Sequence, residues 1–268
     1  MTIKNADIKK YFSFDEFIET AKTPLSKKFL KDCEAGTYRM ASQLHDSKWT
    51  GSDSFEHALE ILENGFPEGV KKMKKELDNI EQAQAPLINQ VFDVSGDEPS
   101  IDRFLSNDPE NMISYDYIKQ DGQKFVKVFY SYSYSYKKKP TQIIKRGARI
   151  LSNIDNLENN GYRVKLVAYS SSNKKAGKKL NKEYFEVTIK DYQDHIELDR
   201  LAFIMAHPSM LRRFGFRLTE MFNPCMTKHA YGNADWLPEH AKTGKFIDIN
   251  SITFDENEID DLFQKITK

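Results

Sequence analysis

Tyrosine and lysine recur in one stretch of this chain at spacings suited to holding a nucleic acid. Tyr130, Tyr132, Tyr134 and Tyr136 alternate with Ser131, Ser133 and Ser135, then run directly into Lys137, Lys138 and Lys139. On an extended strand, side chains two residues apart share a face, so four phenols line one side. Phenol rings stack on bases, and the ammonium groups that follow can hold phosphates. The same alternation also suits a strand whose aromatics pack beneath a helix and whose lysine turn is solvated. Both arrangements are open at this level.

Basic residues gather in three places. Lys137–Lys139 with Lys145, Arg146 and Arg149 form one cluster. Lys174, Lys175, Lys178, Lys179 and Lys182 form another, and Arg212, Arg213 and Arg217 a third. The first two flank strand ends of one sheet and would make a continuous positive groove that tracks phosphates. Against this, forty basic residues balance forty acidic ones, as three solvated faces with acidic neighbours would also give. The binding residues expected are therefore Tyr130, Tyr132, Tyr134, Tyr136, Lys137, Lys138, Lys139, Arg146, Lys174, Lys175, Lys178 and Lys179.

Other candidate chemistry is thinner. Cys225, His229 and His240, with Asp235 between the histidines, have a spacing that matches no standard zinc pattern and leaves a fourth ligand unassigned. As a Cys/His nucleophile pair they have no identified oxyanion site. Those residues, with His207, Arg212 and Arg213, would be the whole basis for a hydrolase. His207 precedes Pro208 at a helix junction, where packing or capping is the ordinary role, and Arg212 and Arg213 suit local ion pairs to residues such as Glu220. Asp93–Asp97 spells D-x-S-G-D but leads into a proline turn, so a plain turn is expected. There is no P-loop, dinucleotide fingerprint or nucleophile elbow. No catalytic residue, metal or cofactor is implied.

Two distant cysteines, Cys33 and Cys225, suit a reducing compartment. The first residues lack the apolar stretch of a secretory signal, and no run approaches the roughly 18 apolar residues of a membrane helix. A soluble, cytoplasmic protein is expected.

The elements that must position these residues follow from periodicity. Residues 7–34 read as two helices broken near Thr23-Pro24. Ser54 caps a helix with Phe55, Ala58, Leu59 and Leu62 inward, stopped at Asn64-Gly65. A second helix spans roughly 69–85, followed by a short strand, a turn and a small helix, IDRFLS. From residue 124 the pattern becomes strand, basic turn, amphipathic helix 141–160 and strand (RVKLVAYS), a βαβ unit with parallel strands. SSNKKAGKKLNKE reads as a basic loop and YFEVTIKDY as a third strand. LDRLAFIMAH and SMLRRFGFRLTEMF read as helices, the latter with Met210, Leu211, Phe214, Leu218 and Met221 inward and Arg212, Arg213, Arg217 and Glu220 outward. The last forty residues look irregular and end in an acidic amphipathic tail. Ligands of such sheets sit at the carboxyl ends of the strands, here the Tyr-Ser ladder and Tyr169–Ser172.

Four strings carry a resemblance: WTGSDSFEHALEILENGFPEG, PSIDRFLSNDPENM, KRGARILSNIDNLENNGYRVKL and AHPSMLRRFGFRLTE. Together, over most of residues 49–232, they resemble an uncharacterised family of tailed-phage and mobile-element proteins. The resemblance implies a phage or integrated-element setting and no catalytic residues. Residues 125–222 are also similar in pattern to von Willebrand A domains, especially those that partner MoxR-type AAA ATPases. That fold places a D-x-S-x-S metal motif at the end of its first strand; here the serines are present and the aspartate is not, which implies a degenerate or absent metal site.

The fold class expected is α/β, with a helical N-terminal region and a mixed, mostly parallel, von Willebrand A-like sheet with flanking helices. Residues 1–120 would form the helical region, 121–250 the sheet domain and 251–268 the acidic tail, docked on its own domain. The function expected is a non-enzymatic, phage-type binding or adaptor protein acting through the strand-end surface. Its partner would be a protein, an AAA ATPase among the candidates, and the alternative is single-stranded nucleic acid. No membrane partner is expected, and the oligomeric state is not readable.

Overall fold

The computed structural model describes residues 6–81, 89–96, 98–116, 124–176, 179–194, 198–227 and 237–267. Its strands are Ala6–Tyr11 (β1), Asn89–Asp93 (β2), Glu98–Pro99 (β3), Met112–Asp116 (β4), Lys124–Ser131 (β5), Tyr162–Ala176 (β6), Lys179–Lys190 (β7) and Phe246–Ile249 (β8). The helices are Phe14–Lys22 (α1), Lys27–Glu34 (α2), Ser47–Thr50 (α3), Phe55–Asn64 (α4), Pro67–Glu81 (α5), Ile101–Leu105 (α6), Pro140–Asn159 (α7), Leu198–Ala206 (α8), Phe216–Phe222 (α9) and Glu256–Thr267 (α10).

The chain is a mixed α/β protein. The main sheet has the order β1-β7-β6-β5-β8. All its pairings are parallel except β6 with β7. β2, β4 and β3 form a separate small antiparallel sheet. Alternation along the strands sends Val126, Val128 and Tyr130, Val164, Leu166 and Ala168, Phe185 and Val187, and Ile247 and Ile249 to one face. Residues of α1, α4, α5, α7, α8, α9 and α10 pack there in a single core. On the other face, Phe129, Val167, Tyr169 and Tyr184 are covered by Leu237 and Ala241.

Several expectations hold in detail. Ser54 Oγ accepts from the His57 amide and caps α4, and Gly65 follows with a positive φ of 88°. The helix expected at 141–160 is α7, which begins one residue earlier, with Pro140 at its first position, where the missing N–H costs nothing. α7 and α8 approach at Gly147, where a Cβ would stand 3.2 Å from Met205 Cβ. The acidic tail forms α10 and docks on this chain: Ile259 and Phe263 are buried, and the Asp260 carboxylate takes a two-pronged pair from Arg149.

Others are corrected. Residues 6–11 are a strand, not the start of a helix. ADIKKY is too short for periodicity to separate the two, and pairing with β7, together with burial of Tyr11, decides for extension. Because β1 completes the main sheet and α1, α4 and α5 share its core, residues 1–120 are not a separate helical unit. SSNKKAGKKLNKE is no loop: Ser170–Ala176 pairs with Lys179–Phe185 as an antiparallel ribbon. The last forty residues contain β8, which pairs with β5.

Candidate functional site

β5 ends at Ser131, not at Tyr136. Beyond it the Tyr132 amide donates to the Tyr169 carbonyl at 3.0 Å, and the Ser133 and Ser170 hydroxyls lie 2.8 Å apart. The outgoing loop is thereby held against the middle of β6, at the carboxyl ends of β5 and β8.

The tyrosine ladder is mostly indoors. Tyr130 is buried, its hydroxyl donating to the Met205 carbonyl at 3.0 Å. Tyr132 is buried with its ring edge-on to Phe17 and close to Gly215. Tyr134 is half-buried near the Arg212 guanidinium. Desolvation raises the pKa of all three hydroxyls. Tyr130 and Tyr132 cannot stack on a visiting base, because the strand's even-numbered face is the one the helices cover. Tyr136, at 70% exposure, is the open one.

Arg146 is also corrected. It lies on the inner side of α7, 1% exposed. Nη1 donates to the Ser131 carbonyl at 2.9 Å, and Nη2 to the carbonyls of Ile249 at 3.2 Å and Asn250 at 2.7 Å. Tyr130 and Phe254 present their ring faces to it. In the order β1-β7-β6-β5-β8 the chain steps from β5 to β6 on one side and returns with β8 on the other, so the direction reverses between β5 and β8, the place where open α/β sheets form their ligand crevice. A guanidinium fills that crevice and takes the strand-end carbonyls itself.

The exposed remainder is basic. Lys137 and Lys139 face solvent, and Lys138 is half-buried with Nζ 4.0 Å from the Phe254 ring centroid. Residues 137–149 contain no acid, nor do residues 174–182. The second segment is the β6–β7 ribbon. Residues 170–176 continue past the last pairing with β5 at Tyr169, roughly 20 Å of extended chain at about 3.3 Å per residue. Lys174, Lys175 and Lys179 lie on its two strands; Lys178 falls outside the described residues. The structure thus brings the loop carrying Lys137–Lys139 and the ribbon carrying Lys174, Lys175 and Lys179 to the same end of the sheet.

The third basic cluster is the largest departure from expectation. Arg212, Arg213, Arg217 and Glu220 are all buried. Residues 210–215 form a π-helical turn, which widens the helix, and residues 39–54 cover what would have been its outer side. Arg213 donates to the Ser42 carbonyl at 2.8 Å, the Ser52 carbonyl at 2.6 Å, Thr50 Oγ1 at 3.0 Å and Ser52 Oγ at 3.1 Å. The Ser42 amide donates to Glu220 Oε1 at 2.8 Å. Ser209 Oγ donates to the Thr50 carbonyl at 2.8 Å. Arg212 donates to the Trp49 carbonyl and stacks on its ring. Gly51 has a φ of 79°, and a Cβ there would stand 3.0 Å from His207 Cε1 and 3.1 Å from Pro208 Cδ. The segments WTGSD and AHPSMLRRF interlock as one buried structural unit. Spacing alone gives no sign of it.

His207 sits inside this unit, stacked on Phe203 and edge-on to Phe66, both at 4.7 Å. Its Nδ1 accepts from the Ser209 amide at 3.2 Å. Desolvation by burial, with a smaller contribution from His57, pushes its pKa down to about 4. It is a buried packing residue whose neutral form is favoured. Cys225 is half-buried in a short turn; His229 and Asp235 lie outside the described residues. Among the described residues no group of three His, Cys, Asp or Glu side chains is placed to hold a metal ion. Asp93 ends β2 and accepts from the Val94 amide in a turn, while Asp97 lies outside the described residues. No described helix is long and apolar enough to cross a membrane.

A family model described as a domain of unknown function, DUF7192, matches residues 2–268. No curated protein and no solved structure matches the chain.

Proposed function

We propose, for a chain that belongs to the DUF7192 family along residues 2–268, that it is a non-catalytic binding protein for an anionic macromolecule, single-stranded nucleic acid foremost. The observation that carries this reading is the shared origin of two acid-free basic segments. The loop after β5 and the outer part of the β6–β7 ribbon both extend beyond the last β5–β6 pairing, and the start of the loop is tied to β6 by the Tyr132–Tyr169 and Ser133–Ser170 contacts. Lysines there meet a phosphate backbone without reading sequence. Tyr136 supplies one exposed ring for stacking.

The von Willebrand A resemblance enters in reduced form. The unit β5-α7-β6 supports it, and Arg146 stands at the end of β5, where the resemblance would place the metal motif. Arg146 takes the carbonyls at that strand end, and the lysines beyond it are the groups we assign to ligand binding. The setting we propose is a phage or integrated element, in its host's cytoplasm, on the strength of the four strings quoted above. An acidic surface on a protein partner, such as an ATPase, is the second kind of polyanion this surface suits.

Fluorescence anisotropy with a labelled oligothymidylate, titrated over a range of salt, tests the reading. The logarithm of the binding constant falls linearly with that of salt. Changing Lys137, Lys138 and Lys139 together to Glu flattens the slope by roughly 2, at about 0.7 per lost single-strand phosphate contact. Absence of binding at low salt, or binding indifferent to these changes, would overturn it.

A further inference from the structure

Helix α6 turns an apolar face outward. Ile101, Phe104 and Leu105, at i, i+3 and i+4, are 71%, 62% and 74% exposed. Single exposed apolar residues are ordinary, but three on one helical face mark an interaction site. Arg103 turns back instead, lying 3.8 Å over the Phe92 ring and 3.4 Å from the Asp108 carboxylate. Asp93, Asp102 and Glu110 are exposed in the same unit. Among the described residues, β2, β3 and β4 pair only with one another. The unit is an acidic knob with an uncovered apolar tip.

An open groove of about 1540 Å³ lies elsewhere, between α1, the α4–α5 turn and α8. Phe14, Ile18, Leu62, Phe66, Val70 and Leu198 supply its apolar lining. Lys71, Lys74 and Lys75 share one face of α5 along its wall, with Asp78 one turn further on. Its other cations are already matched: Lys22 with Glu19 and Glu63, Lys72 with Glu68, and Arg200 with Asp15. Lys71, Lys74 and Lys75 form no ion pair among the described residues.

We propose that the α6 knob of one copy seats in the lysine-walled groove of a second copy. The tip is apolar with an acidic surround, and the groove is apolar with a basic wall, so polarity and charge both match. The two surfaces differ, so the contact is head-to-tail and propagates into short chains instead of closing as a symmetric dimer. One helical face buries far less than the roughly 800 Å² per partner of a stable interface, so association is weak and dependent on concentration. Salt weakens it further by screening the charge match. This inference is independent of the nucleic-acid reading.

Sedimentation velocity on the full chain tests it. The average mass of the native protein rises with concentration, and less steeply at high salt. Phe104→Asp alone is monomeric, and so is Lys74→Glu with Lys75→Glu. All three positions are exposed, and unchanged circular dichroism confirms that the variants fold. An equimolar mixture of the two variants restores dimers and nothing larger, since one keeps only a groove and the other only a knob. Monomeric native protein throughout, a variant that associates like the native chain, or a mixture that stays monomeric would each overturn the proposal.

Discussion

Gly51 shows how tightly single residues constrain this molecule. Its backbone is left-handed and its missing Cβ leaves room for His207 and Pro208. Alanine there meets both conflicts at once, and we expect a loss of about 2 kcal/mol or more, read as a lower urea midpoint with an unchanged slope. His207 gives a pH signature. Its folded pKa of about 4 lies below the ordinary value of 6.5, so the folded state resists protonation that the unfolded chain accepts. Stability is full above about pH 6.5, declines as pH falls and levels off near pH 4. The decline is on the order of 3 kcal/mol at about 1.4 kcal/mol per unit. His207→Phe should remove that slope from the unfolding free energy measured across pH 7 to 4; a slope that persists would show other groups to be responsible.

At the scale of elements, the sequence discloses what period and caps encode. Ser54, Gly65 and the apolar stripe of α7 were legible because each acts on its own neighbourhood. The outward placement of Arg212, Arg213, Arg217 and Glu220 was wrong because helical period cannot register a distant segment. Residues 39–54 return to cover that face, and their carbonyls and hydroxyls accept the guanidinium donors. The ladder misled for a related reason. Alternation put the tyrosines on one face correctly but could not say that helices cover it. The β6–β7 ribbon escaped because asparagine, lysine and glycine read as loop, while backbone pairing sets its extension. Gly147 makes an element-scale test. Valine there presses on Met205 and Met73 where α7 meets α8, and should cost about 1–3 kcal/mol by overpacking, again read from the urea midpoint.

Across the whole molecule, one core links the N-terminal helices, β1, the sheet and α10. A chain divided near residue 120 would unfold in two steps. A chain with this core unfolds over its body in one transition, with calorimetric and van't Hoff enthalpies in agreement. The three surfaces we propose for interaction lie apart in the chain. The lysine-bearing loop follows β5 and the ribbon is the outer part of β6 and β7, the acidic knob belongs to the small sheet, and the groove lies between α1, the α4–α5 turn and α8. The burial of Tyr130, Tyr132 and Arg146 makes the first surface narrower than the sequence suggests and moves its chemistry from stacking towards charge.

Lysine acetylation footprinting with oligothymidylate addresses that charge surface directly, because every lysine reports in one mass spectrum. Nucleic acid should protect Lys137, Lys139, Lys174, Lys175 and Lys179, while Lys71, Lys74 and Lys75 in the groove keep their reactivity. Protection spread evenly over all eight, or confined to the groove, would contradict the account.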